Sequence, residues 1–115
     1  MMTTVGLNPS IDRTVQIGRF AYGGMNRVAS VRDDPGGKAV NVAAVAAALG
    51  AKATCTGFLC REGAAYLASS LKAMGVETYF IKRPGRVRVN IKLVDDSGVV
   101  TEINEPGEKV DEAAL

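Results

Sequence analysis

A carboxylate, a glycine pair and a row of cations are the parts of this 115-residue sequence best suited to chemistry. Asp12 follows a short apolar run, Thr3 to Leu7, that reads as a buried strand ending at Asn8-Pro9. Ligands of open α/β sheets bind beyond the C-terminal ends of strands. A carboxylate there can accept hydrogen bonds from two sugar hydroxyls; it can equally cap the turn Asn8-Pro9-Ser10-Ile11-Asp12. Gly36-Gly37-Lys38 follows the strong turn signal Asp34-Pro35 and opens a helix. Paired glycines let a backbone approach a ligand closely, and the free amides of a helix start point outward. The spacing matches neither GxxxxGK[ST] nor GxGxxG. Taken alone, the segment is a plain turn into a helix. Asn41 falls in the first helical turn, where its amide can serve a hydroxyl or simply face water. Arg88, Asn90 and Lys92 share one face of a strand, because side chains alternate with period two. Such a row can clamp a phosphate, arginine with two parallel hydrogen bonds, though a solvated strand face shows the same pattern.

The elements that must position these residues follow from periodicity and punctuation. Residues 14–17 and 27–31 are short β-prone pieces around Gly23-Gly24. Lys38 to Leu49 reads as a helix with Val42, Val45, Ala46 and Leu49 at helical spacing and Gly50 as its stop. Ala53 to Phe58 is a second buried strand. Gly63 to Met74 is a second helix with Leu67, Leu71 and Met74 on one face, and Val76 to Ile81 is a third strand. Strand, helix, strand, helix, strand predicts an α/β fold with a parallel sheet. The pattern then changes. Val87, Val89, Ile91 and Leu93 alternate with polar residues, Asp95-Asp96-Ser97-Gly98 makes a turn, and Val99 to Asn104 returns. That predicts an antiparallel hairpin over 87–94 and 99–104 with one polar face. Residues 110–115, acidic and then apolar, read as a helix start.

Composition narrows the chemistry. The absence of histidine removes the commonest general base, the Ser-His triad and most zinc chemistry. Cys55 and Cys60 do not form a metal-type pair, and two free thiols suit a reducing cytoplasm. No run is long and apolar enough to cross a membrane, which predicts no membrane partner. Residues 1–92 carry 13 Lys and Arg against 5 Asp and Glu, a net +8, whereas residues 93–115 carry 1 against 7, a net −6. The basic part suits an anionic partner. Its cations are scattered and unaccompanied by aromatic residues, which argues against nucleic acid.

Six segments in order carry a family resemblance: Gly6 to Thr14, Asn26-Arg27-Val28, Pro35 to Ala43, Thr56 to Leu59, Arg88 to Lys92 and Thr101 to Gly107. Together they resemble the N-terminal part of the ribokinase-like carbohydrate kinases (the PfkB family), nearest to the 1-phosphofructokinase and tagatose-6-phosphate kinase branch. The resemblance implies a three-layer α/β core, here partial, with an antiparallel β-sheet lid built from residues 14–17, 27–31, 87–94 and 99–104. It implies that Asp12, Gly36, Gly37 and Asn41 hold sugar hydroxyls, that Arg88 lies near the substrate phosphate, and that Arg27 reaches a substrate phosphate of its own or a partner subunit. It implies ATP and Mg²⁺ as cofactors of the whole enzyme, a sugar phosphate as substrate, a homodimer through the lid, and no nucleic-acid partner. Two departures stand out. Ala39 replaces a glycine usual after Gly-Gly-Lys, and Cys60-Arg61 replaces a Gly-Gly pair after Gly57-Phe58-Leu59.

The family's Gly-Ala-Gly-Asp motif, with its catalytic Asp and ATP pocket, is expected beyond this sequence, so no catalytic residue is assigned within it. The expectation is the front portion of an ATP-dependent sugar-phosphate kinase acting on fructose 1-phosphate or tagatose 6-phosphate. A non-catalytic sugar- or anion-binding α/β module is the alternative. The 115-residue chain by itself should show no ATP-dependent phosphorylation of either sugar phosphate. Detectable turnover by the pure chain in a coupled assay would refute this division of labour.

Overall fold

The computed structural model describes residues 1–108. Three strands, β1 (Met2–Gly6), β4 (Ala53–Glu62) and β5 (Val76–Arg86), form a parallel sheet in the order β1-β4-β5. Helices α1 (Lys38–Ala48) and α2 (Ala64–Ala73) cross between its strands. Val40, Ala43 and Ala46 of α1 and Leu71 of α2 enclose Ala53, Cys55 and Val76 in one apolar cluster. Small side chains on α1 let helix and sheet approach closely, and several residues of this cluster are fully buried. In the described residues Val5, Tyr79 and Ile81 of the sheet remain more than half exposed. The parallel βαβαβ core is the one the sequence pattern predicts.

A second sheet rises from the C-terminal end of the first. It contains β2 (Ser10–Ile17), β3 (Val28–Gly36), β6 (Arg88–Val94) and β7 (Val100–Asn104) in the order β3-β2-β6-β7. The β2–β3 and β6–β7 hairpins are antiparallel, as expected, but β2 and β6 lie side by side in parallel, so the sheet as a whole is mixed. Its base packs on the core through Val87, which joins Leu59, Ala64 and Leu67 in a second apolar cluster with Ile11 against it. On the same face Arg13 meets Asp33 across the strands, with Nε–Oδ1 at 2.8 Å and Nη2–Oδ2 at 3.1 Å. Hydrogen bonds from this guanidinium hold the Asp33 carboxyl below the usual carboxylate range. The hairpin turn at 95–98 forms as predicted: Asp95 Oδ1 accepts from the backbone N–H of Ser97 and of Val99.

Several boundaries differ from the sequence reading. The piece expected at 14–17 begins at Ser10, and the piece expected at 27–31 runs from Val28 to Gly36. Pro35 therefore lies in a strand, not a turn. It is tolerated because β3 is the edge of its sheet and Pro35 has no ladder donor to lose on the open side. The second and third core strands run on to Glu62 and Arg86. Cys60 and Arg61 extend the strand, and the turn falls at Gly63 with φ +99°. Of the residues at the expected helical spacing, Val42, Val45 and Leu49 are exposed, at 50, 60 and 83%, and Ala46 is buried. The helix is apolar nearly all round, so periodicity could not choose between faces. Both cysteines are free, and burial pushes each thiol's pKa up. The helix expected over 110–115 lies outside the described residues.

Two glycines separate backbone strain from steric exclusion. Gly50 adopts φ +92° after α1 with open space around it. Gly57 adopts φ +128° in β4, and a β-carbon there would overlap the Gly6 backbone on β1. Gly50→Ala should cost roughly 1–2 kcal/mol from strain alone. Gly57→Ala should cost more than about 3 kcal/mol, because strands would have to part. Equal shifts of the urea midpoint for the two variants would show that the β1–β4 approach is not tight.

Candidate active site at the junction of the two sheets

The first two strands set the geometry. β1 ends at Gly6, the chain turns through Leu7-Asn8-Pro9, and β2 starts at Ser10, which is fully buried. Asp12 thus lies within β2 rather than in a turn, and the capping alternative falls away. The Ser10 hydroxyl donates to Asp12 Oδ1 at 2.8 Å, fixing the carboxylate. Opposite, Gly36 pairs with Ser10 at the end of β3, and a β-carbon on Gly36 would run into the Asp12 carboxyl group. Gly36 is therefore a requirement of space. Gly37 is one of conformation: with φ +102° it turns the chain from β3 into α1, and a β-carbon there would approach Pro9 Cα at 3.3 Å. No side chain caps α1, so its first-turn amides stay open to a ligand.

A cleft of about 260 Å³ lies at this junction, lined by Val5 to Pro9, Gly37 to Val40 and Arg88. Arg88 pairs with Ser10 across the parallel β2–β6 ladder, and its Nε donates to the Asn8 carbonyl at 3.1 Å. Among the described residues it makes no ion pair, so its charge is available to an anion. Its neighbour Arg86 is different: both Nη atoms bind Glu105, at 3.1 and 2.8 Å. Glu105 Oε1 also accepts the Val89 N–H at 2.7 Å, and these bonds, that to Arg86 foremost, hold the Glu105 carboxyl below its ordinary range.

Strand register gathers residues that sequence reasoning left apart. Asp34, Asp12, Asn90 and Asn104 are successive partners across β3, β2, β6 and β7, so their side chains share one face. This acceptor-rich row lies next to the row of Gly36, Ser10 and Arg88. Ser10, Asp34 and Asn104 were not singled out from the sequence, and no local motif marks them; only the strand pairing does. Lys92 continues the Arg88 face but lies 4.0 Å from Glu102. Asn41 is exposed on α1 and borders an apolar groove with Met2, Val42, Val45 and Leu49; it is not among the residues lining the cleft. Arg27 is exposed just before β3, beyond the Ile17–Val28 pair, roughly 17 Å along the sheet from Asp12 at about 3.3 Å per residue. Strand register thus brings Asp12, Gly36 and Arg88 onto one sheet face, Gly37 and Arg88 line the cleft itself, and Asn41 and Arg27 lie outside it. Ala39 fits without crowding because Gly6 faces it: a β-carbon on Gly6 would lie 3.0 Å from Ala39 Cβ, and the Thr4 hydroxyl bonds the Ala39 carbonyl at 2.9 Å.

An open parallel sheet with a cleft at its C-terminal edge, flanked by the uncapped start of α1 and by a second sheet bearing a fixed carboxylate and an arginine without an ion pair among the described residues, defines a site for a small polar ligand carrying an anion. A profile of the pfkB family carbohydrate kinases matches residues 5–113, and the chain belongs to that family. The 1-phosphofructokinase of Vibrio cholerae is 39% identical over 114 residues, covering 99% of this chain and 36% of that protein. The 1-phosphofructokinase of Bacillus subtilis is 36% identical over 107 residues, covering 93% and 35%. Phosphofructokinase-2 of Escherichia coli, solved in complex with fructose-6-phosphate, superposes with a TM-score of 0.88 at 25% identity over 99% of this chain and 38% of its own. The chain thus spans about a third of the length of the relatives it matches.

Gly36 lies outside the positive-φ region, so alanine is permitted by the backbone and only Asp12 stands in the way of its methyl group. Gly36→Ala should leave the far-ultraviolet circular dichroism unchanged while shifting the Asp12 carboxyl carbon resonance, as the Ser10–Asp12 bond is disturbed. An unshifted Asp12 signal would mean that the two residues do not touch.

Proposed function

We propose that this chain forms the sugar-phosphate-binding part of an ATP-dependent kinase that phosphorylates fructose 1-phosphate, with tagatose 6-phosphate as the second candidate. The observation that carries the reading is an Arg88 that lines the cleft and makes no ion pair among the described residues, one row from the fixed Asp12 carboxylate on the same sheet face. Arg88 supplies the charge for a phosphate, with hydrogen bonds of the charge-assisted kind. Asp12, acceptor-only when ionised, accepts hydrogen bonds from sugar hydroxyls. Gly36 and Gly37 keep side chains out of the space between them. The names of the similar bacterial enzymes support the choice of fructose 1-phosphate.

These residues bind and orient, and no general base for the acceptor hydroxyl is assigned among them. ATP with Mg²⁺ would supply the transferred phosphoryl group. No group of three His, Cys, Asp or Glu able to hold a metal ion occurs among the described residues. No step through the metal is therefore assigned to this chain. The four-stranded sheet acts as a lid over the sugar. Arg27, too far along the lid to reach the Arg88 site of its own chain, serves a partner subunit's phosphate if the lid dimerises. Asn41, exposed on α1 next to the cleft-lining Val40, is the further candidate for a sugar hydroxyl, reached from outside the cleft lining. The enzyme is cytoplasmic, in keeping with the free thiols and its phosphorylated substrate.

Isothermal titration of the protein with fructose 1-phosphate tests the assignment. Arg88→Ala should weaken binding about tenfold or more, the range for losing a charge-assisted hydrogen bond. Asp12→Asn should weaken it as well, while leaving the affinity for inorganic phosphate unchanged. Sugar-phosphate affinity unaffected by Arg88→Ala would sink the reading.

A further inference from the structure

Asn90 stands out on the polar face of the second sheet. Its Oδ1 is shut off from solvent and meets no hydrogen-bond donor among the described residues. The residue sits in the middle of β6, flanked in register by Asp12 on β2 and Asn104 on β7. In-register neighbours of a sheet lie about 4.8 Å apart with side chains on the same side. Asp12 cannot satisfy this oxygen, because a carboxylate only accepts. The Ser10 hydroxyl is already given to Asp12, and Arg88 turns its Nε to the Asn8 carbonyl. Buried polar atoms of folded proteins are nearly always paired, so an amide oxygen unpaired among the described residues, beside a fixed carboxylate, calls for a partner beyond them.

The geometry points to Asn90 as a specificity-determining residue of the sugar site, binding one hydroxyl of the substrate beside those held by Asp12. This rests on the sugar-phosphate reading above and names the part of the sugar that the site tests. A hydroxyl both donates and accepts, and a primary amide offers one oxygen and two N–H groups. The terminal torsion of asparagine is broad, so a half-turn presents either end to the open side of a residue that is itself only half-buried. The ligand class is a phosphorylated polyol with neighbouring hydroxyls along its chain. A site built to hydrogen-bond a hydroxyl discriminates against the analogue lacking it, since its own polar groups are then left unpaired.

The test is a titration of the full-length protein and of Asn90→Ala with fructose 1-phosphate, its 3-deoxy and 4-deoxy analogues, and inorganic phosphate. The wild-type protein should prefer fructose 1-phosphate over one of the two deoxy sugars by about tenfold. Asn90→Ala should bind fructose 1-phosphate about tenfold more weakly and lose that preference, with inorganic phosphate unaffected. Asn90→Ser, which keeps a hydrogen-bonding group, should recover part of the preference. Because the amide bonds no described residue, the thermal midpoint of the sugar-free Asn90→Ala variant should not fall. A lower midpoint with the preference intact would mark the amide as structural and overturn the inference. So would wild-type discrimination in a stable Asn90→Ala variant, which would leave the sugar reading standing. A wild-type protein that binds no fructose phosphate would overturn both.

Discussion

The parallel pairing of β2 with β6 is the constraint on which the site depends. Each of these strands belongs to its own antiparallel hairpin, and an isolated hairpin is marginal in water. Side by side they make one four-stranded sheet whose two halves are far apart in sequence. Parallel neighbours need a long crossover, and here the core itself supplies it: the chain between β3 and β6 is α1, β4, α2 and β5. Core and roof are therefore not separable modules. The register of this one ladder puts Ser10 beside Arg88 and Asp12 beside Asn90. A slip of one residue would send Arg88 and Asn90 to the face that packs on the core through Val87. Burial of Val87 and Ile11 on that face holds the polar face in place, so apolar packing on one side fixes recognition on the other.

The floor of the cleft depends on residues that lack side chains. Gly57 passes so close to the Gly6 backbone that β4 could not carry a β-carbon there, and a β-carbon on Gly6 would press on Ala39. The room gained at Gly6 is taken by Ala39 in the first turn of α1, whose carbonyl is tied to Thr4. This brings the uncapped start of the helix against the end of β1, where a ligand meets both. The methyl group of Ala39 is compatible with the close approach because the strand beneath it has given up its own side chain. Strain and close packing are concentrated at one edge of the sheet, while Gly50, at the other end of α1, has free space around it.

The parts of this fold legible in the sequence are those set by local chemistry. The βαβαβ order, the stop at Gly50 and the Asp95 turn follow from periodicity and from residues that favour one backbone conformation. Strand lengths were underestimated wherever a turn residue was read as a stop: Pro35 sits in an edge strand and Cys60-Arg61 prolong β4. The buried face of α1 was hidden because valine and alanine occur on all its sides, and only the position of Gly37 and the closeness of Gly6 select Val40, Ala43 and Ala46. Asp12 and Arg88 were legible as chemistry but not as neighbours. Asp34 and Asn104 were not legible at all, since their place in the row comes from register, a non-local property. Arg27 shows the converse: the family resemblance draws it to the phosphate, whereas the hairpin carries it to the far end of the same sheet.

The treatment of two arginines on neighbouring positions shows how charge is allotted around the cleft. Arg86 and Arg88 are two residues apart, and either could in principle meet an anion. Arg86 is bound by both oxygens of Glu105, whose second lone pair takes the Val89 N–H. That carboxylate fastens the chain leaving β7 to the start of β6 and neutralises Arg86 in doing so. The same departing segment is tied to the first turn by Asn8, which donates to the Pro106 carbonyl at 2.9 Å. Asn8 in turn offers its own carbonyl to Arg88. Arg88 is thus oriented by a neutral acceptor rather than by an acid. A guanidinium aimed by a carbonyl keeps its full charge for a ligand, and one aimed by a carboxylate does not. Other cations of this sheet, Arg13, Arg32 and Lys92, also have acidic partners. Acidic partners thus take up the cations of this sheet other than Arg88 that show an ion pair, and on this face they leave at Arg88 the charge that can select a phosphorylated ligand.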